Sequence, residues 1–270
     1  MTYTTLIPPA QLRTLDDPLI LDCSFDLADT GAGERAYAAG HIPGAHYLHL
    51  DRDLSGTKTG TNGRHPLPER DAFATRMRQL GLRAGRQVVC YDTQGGPYAA
   101  RCWWMLRWLG HPQVAVLDGA WDDELTTDVA TTVPTDWQPA AALVAQIEAA
   151  TLLKQLGRVR LIDARAPERF RGDVEPLDRL PGHIPGASNR LFKNNLAADG
   201  RFKSADELRA EFQVLLAPHG ADTVVHQCGS GVTACHNLLA MAHAGLGDGA
   251  LYVGSWSEWS ADPARPAATG

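Results

Sequence analysis

The hexapeptide GHIPGA occurs twice, at residues 40–45 and 182–187, and each copy sits at the same place in a longer series of matching blocks. In the first series LILDCS (19–24) precedes the hexapeptide, and QVVCYD (87–92) and VLDGAW (116–121) follow it. In the second, RLIDAR (160–165) precedes it, and TVVHQC (223–228) and YVGSW (252–256) follow. Four matched blocks in one order mean two copies of one domain in tandem. The length agrees, because 270 residues are many for a single hydrophobic core and comfortable for two. Between the copies, DDELTTDVATTVPTDWQP (122–139) is rich in Thr and Asp, holds two prolines and has no apolar period, so it reads as a connection. The expected division is a first domain over 1–125, a linker over 126–140 and a second domain over 141–270.

Within each copy, β-branched runs such as QVVCY, VRLID and TVVHQ have the pattern of buried strands. Amphipathic stretches alternate with them: 71–82, 205–216 and 232–245, the last closing on a glycine stop. This alternation predicts α/β domains, each a mainly parallel sheet flanked by helices. Asp22 and Asp163 end a strand in both copies and are expected to orient the loops that follow.

Apolar residues make up 44% and charged residues 21%, the composition of a folded chain, and a net charge of −6 offers no general attraction to nucleic acid or to an anionic membrane. The N-terminus lacks a basic stretch followed by an apolar one, and no apolar run approaches the roughly 20 residues that span a bilayer. A cytoplasmic location is expected. Five sparse cysteines without a close pair argue against a disulfide framework or structural zinc, and no metal or organic cofactor is expected.

The chemistry converges on Cys228. VVHQCGSGVTACHNLL reads as strand, glycine loop and helix, with Cys228 first in the loop, where open parallel sheets carry their reactive groups. Gly229 and Gly231 let the backbone curl so that N–H groups, those of Val232 and Thr233 included, face whatever the sulfur carries. The following helix aims its positive end at the same point, and both effects stabilise negative charge on sulfur. Cys235, inside the helix, reads as core. A cysteine phosphatase needs an arginine six residues after its cysteine to clamp a phosphate, and that position is Ala234. Sulfur transfer fits an uncharged loop better: the thiolate takes a sulfane sulfur and the loop cradles the resulting persulfide.

CGSGVTAC (228–235), the doubled GHIPGA, the RFRG and EP pieces of 169–176 and the closing GSWSEW (254–259) together resemble the tandem-domain rhodanese family, and within it most the 3-mercaptopyruvate sulfurtransferases. The resemblance runs from about residue 5 to 260. It implies two rhodanese-like domains, the second catalytic and the first inactive, and the repeat puts Asp92 where the second copy has Cys228. It implies a small-molecule sulfur donor and a thiol acceptor such as a thioredoxin-like protein, or cyanide. Arg169 matches the family arginine that holds a donor carboxylate. A second arginine often follows the E-P pair, where this chain has Leu177, and Arg179 is the nearest substitute. The resemblance also implies a relay between Ser230 and a first-domain histidine, assigned to His41. Thiosulfate-specific relatives place basic residues in the loop where this chain has Gly229 and Ser230, so 3-mercaptopyruvate is the expected donor, with thiosulfate the alternative. A persulfide relay with little turnover of small donors is the alternative of another class.

Overall fold

In a computed structural model the chain forms two compact α/β units, and residues 2–217, 220, 223–247 and 249–270 are described. The first unit comprises Met1–Gly56 with Leu67–Leu143, and the second Thr57–Pro66 with Val144–Gly270. The strands of the first are β1 (Leu6–Ile7), β2 (Leu19–Asp22), β3 (Ala45–Tyr47), β4 (Val88–Tyr91) and β5 (Val114–Leu117). Those of the second are β6 (Ala145–Gln146), β7 (Arg160–Asp163), β8 (Ser188–Asn189), β9 (Val224–Gln227) and β10 (Ala250–Leu251). Among the described residues each sheet is five-stranded and parallel throughout, in the order β1-β5-β4-β2-β3 and, correspondingly, β6-β10-β9-β7-β8.

The physics of burial explains which runs became central strands. β4 (VVCY) and β9 (VVHQ) are buried along their whole length, as a parallel strand covered on both faces must be. β9 tolerates His226 because its Nε2 meets the sulfur of Met241 at 3.0 Å; burial, aided by the charge of Arg190, pushes its pKa down to about 3, so the ring stays neutral. The helices expected over 71–82, 205–216 and 232–245 are Arg70–Gln79, Ala205–Leu216 and Thr233–His243. Ser204 and Glu207 close a reciprocal capping box that starts the second of these.

The division into units departs from the sequence expectation at two places. The segment 126–140 is no free linker: Thr126 exchanges both backbone hydrogen bonds with His41, Thr132 donates its hydroxyl to Gln79 O, and the Thr135 amide donates to Arg78 O. Thr126, Thr132 and Thr135 thus bond to the backbone of the first unit. At the end of the chain Ala268 closes the same pair of bonds with His183. The second departure is the segment 57–66, which leaves the first unit and belongs to the second.

The loop after β4 shows what the repeat does without a cysteine. Asp92 takes four backbone N–H groups, those of Gln94 and Gly96 on Oδ1 and of Tyr98 and Ala99 on Oδ2, all at 2.8–2.9 Å. The carboxylate fills the anion cradle itself. Burial pushes its pKa up, and the four N–H donors oppose that rise. Asp92→Asn should lower the stability of the first unit by about 2–4 kcal/mol in urea unfolding, because an amide nitrogen would face two donors it cannot accept.

Candidate active site

β9 ends at Gln227 and the next helix begins at Thr233, so Cys228 to Val232 form the connecting loop. Cys228 is 2% exposed, and its Sγ accepts the N–H of Gly231 at 3.2 Å. Gly231 has φ +76°, and a Cβ there would lie 2.3 Å from the carbonyl oxygen of Val253, so only glycine allows this approach. Val232 caps the helix and Thr233 is its first residue. The loop is clamped from the helix Ser255–Trp259: the amides of Trp256 and Ser257 donate to the carbonyls of Cys228 and Gly229. The Cys228 amide in turn donates to Ser255 Oγ at 3.1 Å. Ser255 has φ +52°, a strained conformation for a residue with a side chain, and it is fully buried where it meets the cysteine. Cys235 is buried and donates its thiol to Gly231 O, which makes it a brace for the loop.

Ser230 is nearly buried, and its Oγ lies 2.7 Å from Nδ1 of His65, itself only 4% exposed; the imidazole tautomer decides which donates. The histidine expected on Ser230 was His41, and the structure corrects this. His41 stacks on Tyr37 at 3.7 Å between ring centroids, and its two nitrogens meet the carbonyls of Tyr37 and Asp128. His183, its twin, stacks on Phe170 and bonds to that residue's carbonyl in the same way. The GHIPGA histidine ties its turn to the preceding helix in both units. His65 was missed because it lies in 57–66, a stretch without periodicity, and its partner is 165 residues away.

Arg169 lies on the short helix Pro167–Arg171, and its Nη1 would be 3.5 Å from a Cβ on Gly229, the residue after Cys228. Its Nη2 donates to Glu175 Oε1 at 2.7 Å and to Asp178 Oδ2 at 3.0 Å. Burial would raise the Glu175 carboxyl, yet Arg169 and the amides of Leu177 and Asp178 hold it below the usual range. Arg179, the other arginine expected at the donor, is exposed and donates to the carbonyl of Ala261. A different arginine, Arg64, reaches Gly229 with Nη2 and pairs with Asp178 through Nη1. Asp163 accepts the amide and guanidinium of Arg165, and Asp22 accepts the amide of Ser24, so both aspartates orient loops. Trp256 and Trp259 are fully buried and donate to the carbonyls of Leu180 and Pro266, so they belong to the core.

The comparisons with known proteins follow this geometry. The rhodanese-like domain matches twice, over residues 10–123 and 147–262. A Pseudomonas aeruginosa protein named probable 3-mercaptopyruvate sulfurtransferase is 49% identical over the whole of both chains. SseB of Mycobacterium tuberculosis, named for thiosulfate sulfurtransferase activity, is 41% identical over 98% of this chain and 97% of its own. The solved structure of 3-mercaptopyruvate sulfurtransferase from Leishmania major superposes with a TM-score of 0.84 at 30% identity, covering 95% of this chain and 74% of that one. With two matched domains spanning most of its length and full-length relatives at this identity, the chain belongs to the rhodanese family as a tandem two-domain member.

Proposed function

We propose that this protein is a sulfurtransferase that moves sulfur from 3-mercaptopyruvate to a thiol through a persulfide on Cys228. In the loading step Cys228 Sγ bonds to the donor sulfur as the donor's C–S bond breaks. The bonding pair passes into the enolate of pyruvate, which then takes a proton at carbon to leave as pyruvate. An acceptor thiol, or cyanide in an assay, attacks the outer sulfur and returns Cys228 as thiolate. The acceptor is a dithiol protein of the thioredoxin type. A cytoplasmic location goes with this reading.

The observation that carries the donor assignment is the Ser230 hydroxyl 2.7 Å from His65, two residues from the nucleophile. A carbon leaving group needs a proton delivered to it, and a hydroxyl backed by an imidazole delivers one. Sulfite, the leaving group from thiosulfate, departs as a stable anion and needs none. Arg169 adds a charge-assisted hydrogen bond for the donor carboxylate beside Gly229. The names of the relatives support both donors, and the proton relay and the neutral loop favour mercaptopyruvate.

Steady-state turnover of 3-mercaptopyruvate and of thiosulfate, each with cyanide as acceptor, tests this assignment. We expect kcat/KM to favour mercaptopyruvate by about a hundredfold or more, the worth of a working general acid. A preference for thiosulfate would overturn the donor assignment and leave the persulfide on Cys228 standing.

A further inference from the structure

We propose that Ser255 is a positioning residue for Cys228, kept in a strained backbone conformation because its hydroxyl fixes the peptide that carries the nucleophile; the proposal rests on the function inferred above. Among the described residues, Asp17 and Ser255 are the two that combine a side chain with a positive φ, +48° and +52°. Asp17 is exposed, whereas Ser255 is fully buried. Glycine takes such a φ freely and a residue with a Cβ does so at a cost, so a serine here needs a reason in its hydroxyl.

That hydroxyl has one proton and donates it to the carbonyl of Tyr252 at 2.8 Å. Its oxygen is left to accept the Cys228 N–H at 3.1 Å. Tyr252 is itself tied to the sheet, since its amide donates to His226 O. The next residue completes the hold, because the Trp256 amide donates to Cys228 O at 3.0 Å. The two peptide planes that flank Cys228 are thus fixed, one by a side chain and one by backbone, and with them the direction of its Cα–Cβ bond. From there Sγ reaches the Gly231 N–H, 3.2 Å away. Neither bond of the hydroxyl serves the helix Ser255–Trp259 that this residue begins.

The internal repeat supplies a comparison. GAW at 119–121 matches GSW at 254–256, so Ala120 stands where the second unit has Ser255. Ala120 is exposed and has no positive φ; in that turn the positive φ, +115°, falls on Gly119. Gly254, the match of Gly119, has φ −65°. The first unit, with Asp92 in place of the cysteine, therefore has neither the hydroxyl nor the strain, and the unit that carries Cys228 has both.

The test compares natural protein, Ser255→Gly and Ser255→Ala. Urea unfolding gives their stabilities, and intact-protein mass spectrometry follows the rate at which Cys228 gains sulfur from 3-mercaptopyruvate and from inorganic polysulfide. With polysulfide the thiolate attacks a sulfur of the chain: a new S–S bond forms on Sγ, one S–S bond of the polysulfide breaks, and the shortened polysulfide leaves with the electron pair. Glycine relieves the φ, so Ser255→Gly should unfold at a higher urea concentration than Ser255→Ala. Both variants should nevertheless load Cys228 about 10- to 100-fold more slowly than natural protein from either donor, the effect of a displaced nucleophile. A purely structural role would make loading follow stability instead. Natural loading rates in Ser255→Gly, loading that rises with stability across the two variants, or a glycine variant no more stable than the alanine one would overturn the role of Ser255 and leave the function standing. If natural protein loads from polysulfide and not from mercaptopyruvate, the donor assignment fails, and the polysulfide rates decide for Ser255 by the same criteria. If it loads from neither, the function fails and the role of Ser255 with it.

Discussion

Cys228→Ser is expected to lower kcat/KM for mercaptopyruvate by at least about 10^4-fold, as loss of a catalytic nucleophile does elsewhere. The substitution is nearly isosteric, and the Gly231 N–H that meets Sγ at 3.2 Å can bond to a hydroxyl as well, so the loop should keep its shape. What disappears is the thiolate, which alone can form a sulfur–sulfur bond that a second thiol will later break. Intact-protein mass spectrometry after donor treatment should show one added sulfur atom on the natural protein and none on the variant. Turnover undiminished in Cys228→Ser would remove the mechanism altogether.

The second large effect is at Ser230 and His65. Ser230→Ala and His65→Gln should each lower kcat on mercaptopyruvate by about 10^2–10^3-fold, the usual worth of a positioned proton donor. Because the two groups share one 2.7 Å hydrogen bond, the double variant should be little worse than the poorer single one. Loading from polysulfide creates no carbanion and should fall much less in the same variants. A double-variant loss equal to the product of the single losses would show that Ser230 and His65 act separately, and the relay would be wrong.

Both predictions use residues that differ in how they could be found. Cys228 and its loop are local: strand, glycines and helix start lie within a dozen residues, and the backbone conformation they require is written in Gly229 and Gly231. Asp92 was legible for a similar reason, as the repeat aligns it with Cys228, although the four N–H groups it draws in appear only in the structure. Arg169 was reached through resemblance, and Asp178, which pairs with it, was not. His41 shows how such reasoning errs. The hexapeptide around it is conspicuous because it makes a turn in both units, while the histidine beside Ser230 sits in an unremarked stretch of polar residues.

From its sequence alone, the chain is determined to be two α/β copies of one fold, with a cysteine in a glycine loop in the second and a carboxylate at the matching place in the first. These are statements about repetition, periodicity and backbone freedom, all carried by residues close together along the chain. Only the tertiary structure decided that 126–140 binds to the first unit, that 57–66 departs for the second, and that Arg64 and His65 arrive there beside Gly229 and Ser230. The contacts of Arg64 and His65 join residues more than a hundred positions apart, and what selects them is the packing of Gly63 on Gly254 and the pairing of two guanidinium groups on one buried carboxylate. A local pattern does not record which distant surface a segment will meet, because that depends on the shape and charge of a partner built by other residues.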